Sequence, residues 1–220
     1  MMALLSELAA HQALILHDLL RHIELVFTAA LIGTLIALPL GIVLSRRPKV
    51  AEPVITVVGM IQTVPSLALL AIVLPILGIG FRPAVAALAL YALLPILRNT
   101  YAGLRSVRPE VVDCAIAMGM SPRQSLWRVQ MPLAVPVIIA GIRLSTVYLV
   151  SWAVLASLIG AGGLGNLIFE GMSTYDVGLI IAGAVPAALM AVLLGLLFTA
   201  LERWLTPQGL RIRAGEEAAA

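Results

Sequence analysis

The sequence predicts an all-α membrane protein with five transmembrane helices, and three observations predict it. Of its 220 residues, 61% are hydrophobic and 11% charged, against roughly 25% charged in a soluble domain. The mean hydropathy is +1.08, too apolar for folding alone to hide from water. The apolar residues fall in long runs, and about 20 such residues suffice to cross a ~30 Å hydrocarbon core as a helix. The basic residues gather in the short segments between those runs.

Taken in order, residues 1–22 carry no Lys or Arg before Arg21 and no small-residue cleavage site, a poor match to a signal peptide. Leu4, Leu8, Ile15 and Leu19, with Glu7, His11, Asp18 and His22 among them, predict an amphipathic helix lying in the membrane interface. The first span covers about 23–44 and stops at Arg46, Arg47, Pro48 and Lys49. The second, 53–77, is interrupted by Pro65 and Pro75. A tight turn over 78–83 leads to the third span, 84–97. A polar loop over 98–135 precedes the fourth span, 136–159. The glycine-rich stretch 160–176 then reaches the fifth, 177–201. The membrane domain as a whole is assigned to 23–213, and 214–220 to a disordered tail.

Counting basic residues tests the orientation. Five spans place Arg46, Arg47, Lys49, Arg98, Arg105, Arg108, Arg123, Arg128, Arg203, Arg211 and Arg213 on one side. Arg21 and Arg82 fall on the other, and Arg143 lies within or near the fourth span. Positive residues concentrate on the cytoplasmic side, so the N-terminus is expected outside, with the polar loop and C-terminus in the cytoplasm.

Several function classes are excluded or disfavoured. The single cysteine, Cys114, cannot form an internal disulfide, and no Cys/His spacing suggests a metal site. His11, His17 and His22 are spaced too loosely to read as a site. The pI near 9.5 comes from scattered loop residues without a basic stripe or stacking aromatics, which argues against nucleic acid. There is no phosphate-binding G-x-x-x-x-G-K-[ST]. A literal G-x-G-x-x-G does occur at Gly160, Gly162 and Gly165. It follows a membrane span without a βαβ pattern, so it is not a dinucleotide site. With Gly163, these glycines let the chain turn sharply, as a plain turn or as part of an outer gate. The span interiors offer only Arg143 as an ionised group. An ion-coupled carrier places acidic groups or His at depth, so the driving force is expected from elsewhere.

The polar loop holds its own folding signals over residues 109–132, PEVVDCAIAMGMSPRQSLWRVQMP. Pro109 suits a first helical position and Glu110 the positive helix end. Val111, Cys114, Ala115 and Met118 form a helical stripe. Gly119 sits where a left-handed residue ends a helix. After Met120, Ser121 caps a second helix, with Pro122 at its first position, Arg123 following and Gln124 closing a capping box. Pro132 is expected to close the unit. The segment reads either as a solvated loop or as a plug seeking a groove on a soluble partner.

Here the chain resembles the permeases of binding-protein-dependent ABC importers. Their cytoplasmic loop has the form E-A-A, three residues, G, nine residues, I-x-L-P. Asp113, Cys114, Ala115, Gly119, Val129, Met131 and Pro132 occupy those positions with every interval preserved. Asp replaces Glu, Cys replaces Ala, Val replaces Ile and Met replaces Leu. The resemblance runs from Ile23 to Arg213. The run Ile61-Gln62-Thr63-Val64-Pro65-Ser66-Leu67-Ala68, with residues 132–143 and 160–165, is most similar to osmoprotectant permeases for glycine betaine, carnitine and choline. It implies a type I ABC importer permease fold and no enzyme activity in this chain. It also implies two permease chains, identical or not, a cytoplasmic ATPase holding ATP and Mg, and an extracytoplasmic solute-binding protein. An amino-acid importer, for instance for methionine, is the alternative within the class. A membrane scaffold that only anchors a partner is the alternative outside it.

A solute pathway has to use neutral polar and aromatic groups. The candidates are Gln62, Thr63 and Ser66 around Pro65, Tyr91 on the third span, and Ser145, Tyr148 and Trp152 on one face of the fourth. Ser and Thr also glue spans together, and Tyr and Trp offer cation–π attraction. Arg143 is expected to snorkel inward or to tie down backbone carbonyls.

Overall fold

The computed structural model describes residues 12–206, and every described element is helical. Helix α1 spans Gln12–Ser45. The pair α2 (Pro48–Thr63) and α3 (Ser66–Leu77) follows, then α4 (Phe81–Arg105). The polar loop contains α5 (Pro109–Ala117) and α6 (Pro122–Ser125). A π-helical segment, Leu126–Gln130, joins α6 to α7 (Met131–Ala156), which ends in a 3₁₀ turn, Ser157–Ile159. Helices α8 (Gly165–Thr174) and α9 (Val177–Leu205) complete the described chain.

Four helical segments are long and apolar enough to cross a membrane: Gln12–Ser45, Phe81–Arg105, Pro122–Ile159 and Val177–Leu205. The pair α2/α3 is apolar enough only when taken together, is bent by 95°, and brings the count to five if it is one broken span. Pro65 makes the bend, because the residue before a proline is pushed out of the helical region. Val64 is extended, with ψ 128. Pro75, the other expected interruption, sits inside α3 without breaking it.

The centre of the bundle is α4, packed between α1 and α7. Small residues let these helices approach. A Cβ added at Gly33 would lie 2.5 Å from Ala92 Cβ, one at Gly41 2.7 Å from Thr100, and one at Gly141 2.5 Å from Asn99. Such notches replace the hydrophobic driving force that lipid removes between spans. Leu25, Val26, Ala92, Ile96, Leu97 and Leu149 fill the space between them and are fully buried.

Three boundaries differ from the sequence reading. Residues 12–22 are not a helix apart but continue without a break into the first span, with Asp18 and His22 buried on them. At 34 residues, α1 is roughly 51 Å long and extends well past a hydrocarbon core. Pro132 does not close the loop unit, because the helix runs on from Pro122 to Ile159. Proline cannot donate to the carbonyl one turn back. The π turn before it adjusts the register, with Met131 N–H donating to Leu126 O. The glycine-rich stretch 160–176 contains a whole helix, α8, where only a turn was expected. Residues 1–11 and the tail 214–220 lie outside the described residues.

Candidate functional site

The loop unit folds as its signals dictate. Helix α5 ends in a Schellman motif: Met120 N–H donates to Ala115 O (3.1 Å) and Gly119 N–H to Ile116 O (2.8 Å). Gly119 has φ 86, a value that costs any residue with a Cβ. Ser121 Oγ accepts from Gln124 N–H, and Ser121 N–H donates to Gln124 Oε1 at 2.8 Å, so both halves of the capping box are present. Arg46, in the α1–α2 corner, donates from Nη2 to Pro122 O at 3.2 Å and ties the unit to the bundle. The sequence showed Arg46 only as a topology marker; the 76-residue separation hides the contact.

The predicted stripe is split by this fold. Ala115 is buried, at 1% exposure, on the side facing α6 and the π turn. Val111, Cys114 and Met118 face outward with Ile116, and Met118 is 72% exposed. Asp113, Gly119, Ser121 and Arg123 are exposed as well, Met120 and Val129 are half-buried, and Pro132 is exposed. The result is an apolar knob projecting from the loop end of the bundle, rimmed by polar groups.

The polar candidates near Pro65 come together at the bend. Pro95 leaves the Tyr91 carbonyl without its helical donor, and Gln62 Nε2 supplies one at 3.0 Å. Tyr91 OH in turn donates to Val64 O, freed by the break, at 2.6 Å. Ser145 Oγ donates to Ala92 O at 3.2 Å and is fully buried. Thr63 Oγ1 bonds within its own helix, to Met60 O, and Ser66 is half-buried. The Tyr91 and Trp152 rings lie 4.6 Å apart between centroids, and Tyr148 and Trp152 5.6 Å. Tyr91 is buried, Trp152 half-buried and Tyr148 45% exposed. Gln62, Tyr91 and Ser145 thus hold helices together, while Tyr148 and Trp152 present aromatic surface.

Arg143 departs from one of its two expected roles. Its Nη1 donates to Thr199 Oγ1 (2.8 Å) and lies 3.2 Å from Glu202 Oε2. It binds side chains of α9 rather than backbone carbonyls, so α7 and α9 are cross-linked by a charge pair. Glu202 was missed because the fifth span was stopped at 201.

At the end opposite the loop unit, Gly160, Gly162 and Gly163 all have positive φ. Gly165 abuts Val154 O and Ser157, leaving no room for a Cβ. This glycine corner is held from two sides. Gly80 N–H donates to Ile159 O at 2.9 Å, and Arg21 Nε to Ala161 O at 3.2 Å. The Arg21 guanidinium also sits 4.1 Å from the centroid of the Phe81 ring. His22 Nε2 bonds Val150 O at 3.1 Å, which fixes the proton on that nitrogen. Among the described residues no cluster of three His, Cys, Asp or Glu could hold a metal.

The chain is similar to several curated permeases. It is 47% identical over 197 residues to the choline transport system permease protein OpuBB of Bacillus subtilis, covering 90% of this chain and 91% of that one. The carnitine transport permease protein OpuCB of Listeria monocytogenes is 47% identical over 199 residues, covering 89% and 91%. The osmoprotectant import permease protein OsmY of Salmonella typhimurium is 43% identical over 205 residues, covering 92% and 87%. Among solved structures, inward-facing conformations of the MetNI methionine ABC transporter match with a TM-score of 0.82 at 22% identity. They cover 90% of this chain and 99% of that one, and they establish the type I ABC importer permease fold. The model of the binding-protein-dependent transport system inner membrane components matches residues 21–209. A multi-pass membrane bundle, a loop knob with every family interval kept and this match agree: the chain belongs to that family.

Proposed function

We propose that this chain is the permease subunit of an ATP-driven importer for a quaternary ammonium osmoprotectant of the glycine betaine, carnitine or choline type. The observation that carries the reading is 47% identity, across nine-tenths of the chain, to permeases named for choline and carnitine. The methionine alternative draws only on a structural likeness at 22% identity, a likeness of fold.

The working unit comprises two permease chains in the lipid bilayer, two cytoplasmic ATPases carrying ATP and Mg, and an extracytoplasmic binding protein. The basic loops face the cytoplasm, so the knob of Val111, Cys114, Ile116 and Met118 meets the ATPase. Exposed apolar residues on a short helix suit a groove on a soluble partner. Arg46 fixes the knob to the α1–α2 corner, and the unbroken helix from Pro122 to Ile159 links it to the opposite end. When the ATPases close, the paired knobs move together, and a rigid lever carries that motion to the glycine corner. Tyr148 and Trp152 give a passing cation an aromatic wall, where cation–π attraction is worth about 0.5–2 kcal/mol.

Reconstitution tests the reading against a scaffold role. The purified permease should bring down an ATPase, and its hydrolysis should rise when the binding protein and glycine betaine or choline are added. Hydrolysis unresponsive to both, or responsive to methionine alone, would replace it.

A further inference from the structure

Between α1 and α9 lies a groove that neither the loop knob nor the aromatic face uses. It encloses ≈ 380 Å³. Leu19, Ile23 and Phe27 form its α1 wall, and Met190 and Leu194 of α9 form its floor. Both floor residues are buried, while Phe27, Leu189 and Leu193 stand exposed along the rim. Every lining side chain is apolar. A held water needs about 2–4 polar partners, and the lining side chains offer none, so the groove takes hydrocarbon rather than solvent.

Depth and direction select the occupant. Both walls belong to helices long and apolar enough to cross a membrane. From Pro186 to Leu197 the groove runs roughly 16 Å along α9. One leaflet of a ~30 Å hydrocarbon core is about 15 Å deep, the reach of a single acyl chain. The groove also turns away from the aromatic pair. Helix α1 meets α7 at Val150, whose carbonyl accepts from His22 Nε2 at 3.1 Å. Two residues along a helix rotate by roughly 200°, so Tyr148 and Trp152, each two residues from Val150, face the other way. A cationic solute would find neither an acceptor side chain nor an aromatic pair in the groove.

We infer that this groove is a binding site for one acyl chain of a membrane phospholipid, wedged between α1 and α9. The site depends on the membrane location of the two helices and not on which solute is carried. Leu19, at one end of the groove, also packs with Leu164 and Leu167 beside the glycine corner. An acyl chain seated there supports that corner from the lipid side.

The test uses the full-length permease purified in detergent, titrated with dioleoylphosphatidylglycerol while its Tm is followed. A bound chain should give a saturable rise of several degrees, and native mass spectrometry should show phospholipid retained. Leu189→Trp and Leu193→Trp, both at exposed rim positions, put an indole into the groove. They should fold, lose the retained lipid and lose most of the rise. Val185→Trp, exposed on α9 but outside the groove, should keep both. Dioctanoylphosphatidylglycerol, whose chains fall short of the groove's length, should stabilise less than the dioleoyl lipid. Equal responses in all three variants would mean unselective lipid coating and overturn the site. A wild-type Tm that phospholipid leaves unmoved would overturn it as well. Leu193→Cys in a Cys114→Ser background tests the rival occupant, a second copy of the chain. A short bis-maleimide should not cross-link two copies in native membranes, and efficient cross-linking there would give this face to the second copy instead.

Discussion

Gly119 shows how one residue can govern the loop knob. Its φ of 86 is required by the Schellman end of α5, yet a Cβ there would meet nothing within 4 Å. The cost of substitution is therefore backbone strain alone, about 1–3 kcal/mol for a non-glycine residue in this region. Valine sits at the upper end because it is β-branched. Gly119→Val should reach the membrane at normal levels and lose most uptake, with the ATPase no longer retained through purification. Normal uptake would mean that the knob's shape is irrelevant. Tyr91 teaches the opposite lesson. Its hydroxyl and carbonyl repair two proline-broken segments at once, so a residue picked out as a pathway candidate also braces the bend.

Among the elements, α5 presents an exposed apolar face that suits the proposed ATPase contact. Val111, Cys114, Ile116 and Met118 point away from the bundle, while Ala115 is the residue that packs inward. Cys114 is the only thiol in the chain, and so a clean reporter. A membrane-impermeant maleimide should label it in inside-out vesicles stripped of ATPase, and adding back the ATPase should cut labelling several-fold. Labelling of intact cells from outside would reverse the orientation; unprotected labelling would remove the docking claim. The π turn before Pro132 belongs to this scale too. It lets a helix that a proline was expected to end continue as far as Ile159, so loop helix and span share one helical segment.

Across the whole molecule, aromatic residues are sparse: 5% of the chain, with three Trp. Trp127 and Trp204 are exposed near the loop end, and among the described residues Trp152, Tyr91 and Tyr148 form the one group of rings in mutual contact. Tyr91 is buried by its bracing role, so two rings of that group offer a face. Two rings do not enclose a quaternary ammonium, which fits the proposal that a separate binding protein selects the solute. Trp152→Ala should lower the transport rate about twofold to thirtyfold, for a lost contact of roughly 0.5–2 kcal/mol, and leave the ranking of competing solutes unchanged. Calorimetry showing micromolar betaine binding to the permease alone, lost in Trp152→Ala, would place selection in the membrane.

Wherever the information is local, the sequence by itself determined the outcome. Hydrophobic run length set the spans, because crossing a bilayer is a demand on consecutive residues. Pro109, Gly119, Ser121 and Gln124 set the loop helices, because caps and left-handed turns act within six residues. What only the tertiary structure decided lies in contacts between distant segments. Gln62 and Tyr91 serve broken carbonyls, Arg143 pairs with Glu202, Arg46 holds Pro122, and Asp18 lines a cleft against Gly160 to Gly162. None of these pairs shares a periodicity or a turn, so no pattern in the chain announces them. The continuity of residues 12–22 with the first span and the helix α8 went unread for the same reason. Their polar and glycine-rich compositions suggest a separate segment and a turn, and it is tertiary packing, of α8 on α9 and of Ile15 and Leu19 on Leu164 and Leu167, that makes both part of the bundle.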